Sequence, residues 1–478
     1  MSKPNRWTRR TSLKSLGLMG AASVMGGSVG ASAAPSGASV PDQPSELRRE
    51  IFAKVMATTL IDTHEHLCEE QARLAGFGPD DWSAMLSGYL GSDLISAGMP
   101  RADFHKFYSK GPSPQDKWKL LEPYWSAVKT TGYGLAARIS MQELYGIDDL
   151  SAENVAKAQE GYQKLRHPGF YREVLCEKAE IESCQVNSTN PPFIESAQPT
   201  LLMQDISLLP MFVSPDFDLL SKPAGMTVTD LASWHAIIDW WFAKYSPFAV
   251  AVKSQDAYNR NIDYERVPAA DVEGTFQKRA ANQPLNPEER KKLQDHLFWY
   301  AVEQATKHGL PVKLHTGYYA GENHMPLSRL IHNAESACEL CRQSPETKFV
   351  FMHICYPYYE ELLAVAKQYT NAHIDMCWSW IINPVAAKDF LKKYIVSAPT
   401  NKIVTFGGDY GYVEQVLGHA IIARRGIALA LCELVEEGWL SRDDVLGLVD
   451  PLMNGNARRI FRLEARTKAL QNAPWSHG

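Results

Sequence analysis

The sequence predicts an α/β fold, a (β/α)8 barrel of the TIM type with a large helical insertion after its first strand. Three observations predict it: short β-branched apolar runs alternate with long helical patterns, there are eight such runs, and most are nearly apolar throughout. Continuous apolar runs are typical of parallel strands that are buried on both faces. Eight of them interleaved with helices match the outline of a barrel, and a doubly wound sheet is the alternative architecture.

The predicted elements follow one another along most of the chain. The strand segments are residues 58–62, 179–186, 200–208, 248–253, 311–315, 348–353, 372–376 and 402–406. Helical patterns lie between several of them, at residues 287–308, 325–342, 359–369 and 384–394. This alternation of strand and helix is what a parallel sheet requires, because each parallel strand needs a crossover connection.

The length of the chain locates the insertion. A barrel alone needs about 250 residues, whereas the chain has 478. Most of the surplus lies between the first two strand segments, at about residues 67–178, which are rich in helix formers and aromatic side chains. A segment that follows a barrel strand projects over the carboxyl face, where barrel active sites are built. We therefore expect residues 35–478 to form one barrel domain, with residues 67–178 as a helical cap over the site.

The first 34 residues predict an export signal. Arg9 and Arg10 are adjacent, a Gly- and Ala-rich apolar run follows at residues 16–29, and Ala31-Ser32-Ala33 offers a small-residue cleavage site. These are the three parts of a secretory signal, and paired arginines mark the bacterial Tat variant. We expect the Tat export machinery as a partner and a periplasmic or secreted location.

Charge and composition exclude several classes of protein. The first 34 residues hold five Lys and Arg and no acidic residue, so their removal from a chain of net charge −5 leaves −10. An acidic protein is not expected to bind nucleic acid. No later stretch reaches about 18 consecutive apolar residues, so no stable membrane insertion is expected. The eight cysteines form no dense framework, and the Cys338–Cys341 pair is interpreted as helix packing.

The chemistry is expected where the strand segments end. The first ends in Asp62-Thr63-His64-Glu65-His66, and alternate residues of a strand share a face, so two imidazoles can hold one metal ion. His315, His353 and Asp409 each follow a later apolar run. Because barrel active sites lie at the carboxyl ends of strands, these five side chains should meet in one place.

This combination of residues resembles the amidohydrolase superfamily, the metal-dependent barrel hydrolases. The superfamily's signature is H-x-H on strand one, histidines on strands five and six and an aspartate on strand eight. The resemblance extends from about Thr58 onward and looks like the amidohydrolase 2 type, which includes decarboxylases and lactonases. The chain also resembles uronate isomerases in its insertion, in residues 257–260 and in Trp378-Ser379-Trp380.

The resemblance implies a metal centre and roles for its residues. His64, His66, His315 and Asp409 are expected to bind one divalent metal ion, with zinc as the first choice and manganese or iron as alternatives. Asp409 is the expected general base. His353 is expected to polarise a substrate carbonyl or to donate a proton.

Five further side chains are candidates for binding substrate. Lys253 ends the fourth strand segment, and it can contact a substrate carboxylate, bridge two metals after carboxylation as in some superfamily members, or form a structural ion pair. Trp378 and Trp380 follow the seventh segment and should share a strand face. Tyr318 and Tyr356 lie on loops expected to ring the pocket.

Three functions are compatible with these residues. The first is metal-dependent hydrolysis of an amide, ester or lactone in a small substrate, such as a carboxylated sugar or an aromatic acid. The second uses the same metal site for decarboxylation or for uronate isomerisation. The third is a non-catalytic binding protein, against which the intact ligand set argues. The fold does not decide among them, and homo-oligomerisation stays open.

Overall fold

Within residues 45–476, nine short strands with parallel pairing form the centre of the fold. The computed structural model describes residues 45–476, so the predicted signal peptide lies outside the described residues. The strands are β1 Leu60–Glu65, β2 Ile181–Val186, β3 Leu202–Gln204, β4 Ile206–Ser207, β5 Val252–Ser254, β6 Val312–Leu314, β7 Phe349–Met352, β8 Ala372–Asp375 and β9 Ile403–Val404. They form a sheet ordered β1-β2-β3 and a second sheet ordered β4 to β9.

One continuous segment joins the two sheets. The predicted third strand, residues 200–208, contains both β3 and β4, which are separated by Asp205. The Asp205 N–H donates to the carbonyl of Val186 in β2 at 2.9 Å, and the Ile206 N–H donates to the carbonyl of Ala251 at 3.0 Å. The chain thus exchanges its hydrogen-bond partner from β2 to β5 at this point. Each of the eight predicted strand segments overlaps at least one strand.

Hydrogen bonds also link the first strand to the segment that follows the last one. The Thr63 N–H donates to the carbonyl of Phe406 at 3.0 Å, and the Asp409 N–H donates to the carbonyl of His64 at 2.8 Å. A third bond, of 2.9 Å, joins the His66 N–H to the carbonyl of Tyr410. The fold is therefore the predicted α/β barrel, with the carboxyl end of β1 beside the residues after β9.

The helices surround these strands and begin at recognisable capping residues. The helix Pro287–Lys307 illustrates this, because Asn286 and Glu289 form a capping box and Pro287 occupies the first turn. After β2 the helices are Leu209–Phe212, Phe217–Ala224, Leu231–Tyr245, Ala269–Ala280, Pro287–Lys307, Asn333–Gln343, Tyr359–Gln368, Ser379–Ile382, Pro384–Ser397, Val416–Glu436, Arg442–Asp450, Asn456–Ile460 and Leu463–Gln471. Helices cover the strands, and nearly every strand residue is buried.

The segment between β1 and β2 is helical along most of its length. Its α-helices are Glu70–Leu74, Tyr89–Ser96, Arg101–Tyr108, Pro114–Val128, Gly132–Tyr145, Val155–Leu165 and Phe170–Arg172, and the helix Glu46–Ala57 precedes β1. Two glycines bring this insertion close to its neighbours. A Cβ atom on Gly132 would lie 2.1 Å from the carbonyl oxygen of Ile381, and one on Gly418 would lie 2.0 Å from that of Ala136. The backbones therefore touch with no side chain between them.

The long helix Val416–Glu436 is a core element. Among residues 45–476, one stretch, Val413–Glu436, is long and apolar enough to cross a membrane by length and composition. Within the protein, 83% of its most apolar window is buried, as in the core helix of a globular domain. It packs against helices Glu46–Ala57, Gly132–Tyr145 and Pro384–Ser397.

Candidate metal centre and cavity

His64 and His66 lie at the carboxyl end of β1 and point to the same side. Their Nε2 atoms are 3.3 Å apart. The His66 Nδ1 is 2.8 Å from the carbonyl oxygen of Asn187. Because a carbonyl only accepts hydrogen bonds, Nδ1 is the donor and Nε2 keeps its lone pair, as a metal ligand requires. The Gln255 amide nitrogen lies 2.9 Å from this Nε2.

Asp409, which follows β9 and lies beside the end of β1, completes the group. Its Oδ1 lies 3.2 Å from His64 Nε2 and 3.3 Å from His66 Nε2. Burial would raise the pKa of the Asp409 carboxyl, but its close contacts with His64 and His66 hold that pKa well below its usual range. Asp409 is therefore an anion facing two imidazoles.

These three side chains fit a divalent metal ion. Their ligand atoms all lie within 4.8 Å of one another. Two imidazole nitrogens and one carboxylate oxygen are donors that suit zinc and also iron or manganese. Members of the superfamily that the sequence resembles bind divalent metals, and this group is where the chain can hold one.

His353 stands on the other side of Asp409. Its Nδ1 is 2.9 Å from the carbonyl oxygen of Cys377, which makes Nδ1 the donor. Its Nε2 is buried with no hydrogen-bond partner and lies 3.9 Å from Asp409 Oδ2. Burial lowers the pKa of His353 to about 4, so the ring is neutral near pH 7.

His315 lies beside this group but is not part of it. Its Nε2 is 2.9 Å from the carbonyl oxygen of Tyr318. Its ring centre is 4.4 Å from that of His353. Because the Tyr318 carbonyl can only accept a hydrogen bond, Nε2 is the donor and Nδ1 keeps the lone pair with which the ring could bind a metal ion. Its assignment as a ligand stays a prediction.

Lys253 lies in β5 and lines the cavity beside the metal ligands. It is fully buried, its Nζ lies 2.9 Å from Met352 Sδ, and burial lowers its pKa to about 8. Arg138 and Arg260 do not line this cavity and contact carboxylates elsewhere. Arg260 pairs with Asp295 at 2.7 Å, and Arg138 lies 3.7 Å from Asp149.

The cavity at the site has a volume of about 360 Å³. Its walls are His66, Tyr89, Leu209, Lys253, Gln255, Tyr258, Asn259, His315, Ala320 and Asp409. The helical insertion contributes Tyr89, whose hydroxyl donates to the Asp409 carbonyl at 2.5 Å. Sequence reasoning did not single out Tyr89, Gln255 or Tyr258 as functional. Gln255 and Tyr258 directly follow β5, a position that could have signalled them, whereas Tyr89 carries no motif.

The predicted aromatic residues occupy different places. The expectation that Trp378 and Trp380 share a strand face is wrong, because β8 ends at Asp375 and Trp378 turns the chain with a φ of 63°. The Trp378 ring packs at 5.3 Å from His353, beside the site. The indole N–H of Trp380 donates to the carbonyl of Thr405 at 2.7 Å, so this ring belongs to the core.

Tyr318 and Tyr356 lie next to each other near this aromatic group. Their ring centres are 6.2 Å apart, and the Tyr318 ring is 6.0 Å from that of Trp378. The Tyr356 hydroxyl accepts a hydrogen bond of 3.3 Å from the Asn383 side chain. Neither tyrosine lines the cavity described above, and their role in substrate binding stays a prediction.

A buried ion pair supports the site from inside the barrel. The Lys313 ammonium contacts Asp205 at 2.9 Å, the Thr63 carbonyl at 2.7 Å and the Gln185 side chain at 2.6 Å. Asp205 Oδ2 is 4.0 Å from His64 Nδ1. Sequence reasoning missed this group, because Lys313 and Asp205 lie inside apolar runs rather than at their ends.

Comparison with known proteins finds a family match in the C-terminal part of the chain. A family model described as Amidohydrolase matches residues 277–463, which include His315, His353 and Asp409. Protein fluG of Emericella nidulans is 23% identical over 230 residues, which are 45% of this chain and 26% of that protein. The chain thus matches about a quarter of the length of that relative.

Solved structures share the fold over most of the chain. A uronate isomerase from Thermotoga maritima has a TM-score of 0.71 at 12% identity, covering 87% of this chain and 97% of that one. Glucuronate isomerase from Caulobacter crescentus has a TM-score of 0.71 at 15% identity, covering 91% and 97%. A Lactobacillus casei protein, described provisionally as a metal-dependent hydrolase, has a TM-score of 0.61 at 15% identity, covering 87% and 98%. These findings confirm the resemblance that the motifs indicated, in sequence over residues 277–463 and in fold over most of the chain.

Proposed function

We propose that the protein is a metal-dependent hydrolase that cleaves an amide, ester or lactone bond in a small carboxylated substrate. The observation that carries the proposal is the position of Asp409, with one carboxylate oxygen on His64 and His66 and the other toward His353. When bound, the metal ion lowers the pKa of a coordinated water and polarises a carbonyl group. His64, His66 and Asp409 would hold it.

The residues of the chain supply the proton transfers and the orientation. Asp409 is an anion at neutral pH and can take up a proton at a carboxylate oxygen. His353 has its Nδ1 hydrogen committed to Cys377, so its Nε2 can accept a proton but cannot donate one in this tautomer. Lys253 provides a cation on the cavity wall for the substrate carboxylate.

A second candidate is aldose–ketose isomerisation of a uronate. Two solved neighbours that cover nearly the whole fold are uronate or glucuronate isomerases. The same residues serve this reaction: Asp409 and His353 can move a proton, and Lys253 can bind the uronate carboxylate. The fold supports this candidate as well as it supports hydrolysis.

We also propose that the enzyme works outside the cytoplasm, in the periplasm or after secretion. The twin-arginine pattern, the short apolar run and the small-residue cleavage site within residues 1–34 support this proposal.

The function is tested by removing and restoring the metal while assaying lactones, amides and uronates. We expect His64→Asn and Asp409→Asn to lose bound metal and to lower kcat by more than about 100-fold, since the loss of a residue that merely hydrogen-bonds to a metal ligand already costs about 10–100-fold. His332→Asn is the control, because this histidine is exposed. Metal content would be measured by elemental analysis and folding by circular dichroism. Unchanged metal content in both variants would contradict the site.

The two candidate reactions differ in the fate of solvent atoms. Hydrolysis adds the atoms of one water molecule to the substrate, whereas isomerisation leaves its mass unchanged and forms a ketose. Mass spectrometry and carbon-13 NMR of the products distinguish them. Conversion of a uronate to a ketose of the same mass would replace the hydrolase proposal by the isomerase one.

A further inference from the structure

Asp409 faces a second set of potential ligands with its other oxygen. A ring nitrogen of His353, the Cys377 Sγ and an Asp409 carboxylate oxygen all lie within 4.8 Å of one another. His353 and Cys377 are fully buried, and Asp409 is 7% exposed. These atoms are separate from the His64 and His66 nitrogens, so Asp409 stands between two groups of donors.

The backbone holds this second group in place. The Cys377 carbonyl accepts the Nδ1 hydrogen of His353 at 2.9 Å, and the Cys377 N–H donates to Asp375 Oδ1 at 2.8 Å. A Cβ atom on Gly407 would lie 2.9 Å from the Cys377 sulfur, so this glycine allows the thiol to approach the segment that carries Asp409. The orientation leaves His353 Nε2 buried, without a partner and directed toward the carboxylate.

The donor set has a specific chemical preference. Imidazole nitrogen, thiolate sulfur and carboxylate oxygen together suit zinc and other borderline-soft divalent ions rather than magnesium or calcium. Three protein donors also leave room for a water or substrate atom. All eight cysteines are free, so the Cys377 thiol is not committed to a disulfide.

We propose that His353, Cys377 and Asp409 form a second, thiolate-containing metal site, with Asp409 shared between it and the His64–His66 pair. Binding forms a metal–sulfur bond while the thiol proton passes to solvent. Two cations that share the Asp409 carboxylate repel each other. We therefore expect the second ion to bind more weakly than the first. This proposal shares one assumption with the proposed function, namely that Asp409 binds metal.

Cobalt(II) provides a test, because thiolate ligation produces a sulfur-to-cobalt charge-transfer absorption band and nitrogen or oxygen ligation does not. The full-length protein, stripped of metal under reducing conditions, would be titrated with cobalt. We expect two equivalents to bind, with the band appearing during the second. Cys377→Ser should bind one equivalent without the band. Cys432→Ser is the matched control, because Cys432 is buried in the core helix, and it should keep both.

Two further variants make the outcome decisive. His353→Gln should lose the second equivalent even if Cys377→Ser folds poorly, and His64→Asn should lose the first while keeping the band. A wild-type protein without the band, or a band that persists in Cys377→Ser, would overturn the proposal. Failure of the proposed function gives a different result, namely a metal-loaded protein that shows the band and converts no substrate.

Discussion

Several residues around the metal ligands have left-handed backbone conformations that are unusual outside glycine. His353, Ile354, Cys355, Trp378 and Asp409 have φ values of 62°, 51°, 54°, 63° and 63°. Such conformations cost about 1–3 kcal/mol each, and a branched residue such as Ile354 is a clear outlier. Their occurrence in the segments that follow β7, β8 and β9 indicates that the rest of the fold stabilises a geometry that these residues would not adopt alone.

Gly408 gives a test at the scale of a single atom. A Cβ atom there would lie 1.9 Å from Glu65 Oε1, and Glu65 is buried and accepts the Tyr410 N–H at 2.6 Å. Gly408→Ala should therefore displace the Glu65 carboxylate, lower the free energy of unfolding by about 1–3 kcal/mol and weaken metal binding. Urea unfolding and metal analysis measure the two effects.

The matched control for this change is three residues away. A Cβ atom on Gly411 would meet nothing within 4 Å, so Gly411→Ala should leave stability and metal content unchanged. Equal effects of the two alanines would show that close contact with Glu65 is not the cause.

Between elements, a buried ion pair joins the insertion to the turn that precedes the helix Val416–Glu436. Arg73 lies 2.6 Å from Glu414, both side chains are 0% exposed, and Arg73 also donates to the Tyr162 hydroxyl at 3.0 Å. Removing one partner leaves a buried charge uncompensated. Arg73→Met should therefore lower the free energy of unfolding by about 3–5 kcal/mol.

The double variant separates the pair from its surroundings. Arg73→Met with Glu414→Leu should be less destabilised than Arg73→Met alone, because no charge then stays unpaired. Urea unfolding of all four proteins gives the coupling energy. Additive effects of the two substitutions would refute the pairing.

A second pair of elements predicts a dependence of stability on pH. His235, in helix Leu231–Tyr245, lies 3.0 Å from His296 in helix Pro287–Lys307, and its ring stacks on Tyr300 at 3.8 Å. Burial and the neighbouring His296 lower the pKa of His235 to about 4, whereas the favourable charge of Glu273 is a smaller influence. Its neutral ring is therefore part of the folded state.

The direction in which stability changes with pH follows from the lowered pKa of His235. The unfolded chain, with an ordinary histidine pKa near 6.5, takes up a proton before the folded protein does, so stability is lost as pH falls from about 6.5 toward 4. His235→Gln should reduce this loss, seen as a smaller drop in Tm between pH 7 and pH 5. His332→Gln, at an exposed histidine, should leave the drop unchanged. An undiminished drop in His235→Gln would contradict the assignment.

For the whole molecule, the barrel could be predicted because of how its strands are buried. Helices cover the strands, so β7, for example, is a continuous apolar run from Phe349 to Met352 and is easy to recognise. The break between β3 and β4 could not be predicted, because it depends on hydrogen bonds from Asp205 and Ile206 to two different neighbours. The residues around Asp205 do not indicate which strands their backbone groups bond to.

The site could be predicted in part for a similar reason. Parallel strands end at one face, so histidines and an aspartate at strand ends come together whatever the rest of the chain does. The side-chain orientations were not predictable: His315 contacts the Tyr318 carbonyl rather than Asp409. The contact between Tyr89 and Asp409 joins residues 320 positions apart in the chain, and no motif marks it.

The export proposal is tested in the intact cell. Replacing Arg9 and Arg10 by lysine should stop processing and leave precursor in the cytoplasm, because the paired arginines are the feature that defines a Tat signal. Cell fractionation and the mass of the purified protein measure this. Lys14→Arg, which leaves the pair intact, is the control. Normal processing of the Arg9 and Arg10 variant would exclude the Tat route.

The two glycines at which backbones touch restrict which segments could replace the insertion. Gly132 and Gly418 leave no space for a side chain between the insertion and the helices after β8. A segment that replaced residues 67–178 would need glycine at position 132 to fit against Ile381. Its backbone would also have to approach Gly418 as closely as that of Ala136 does.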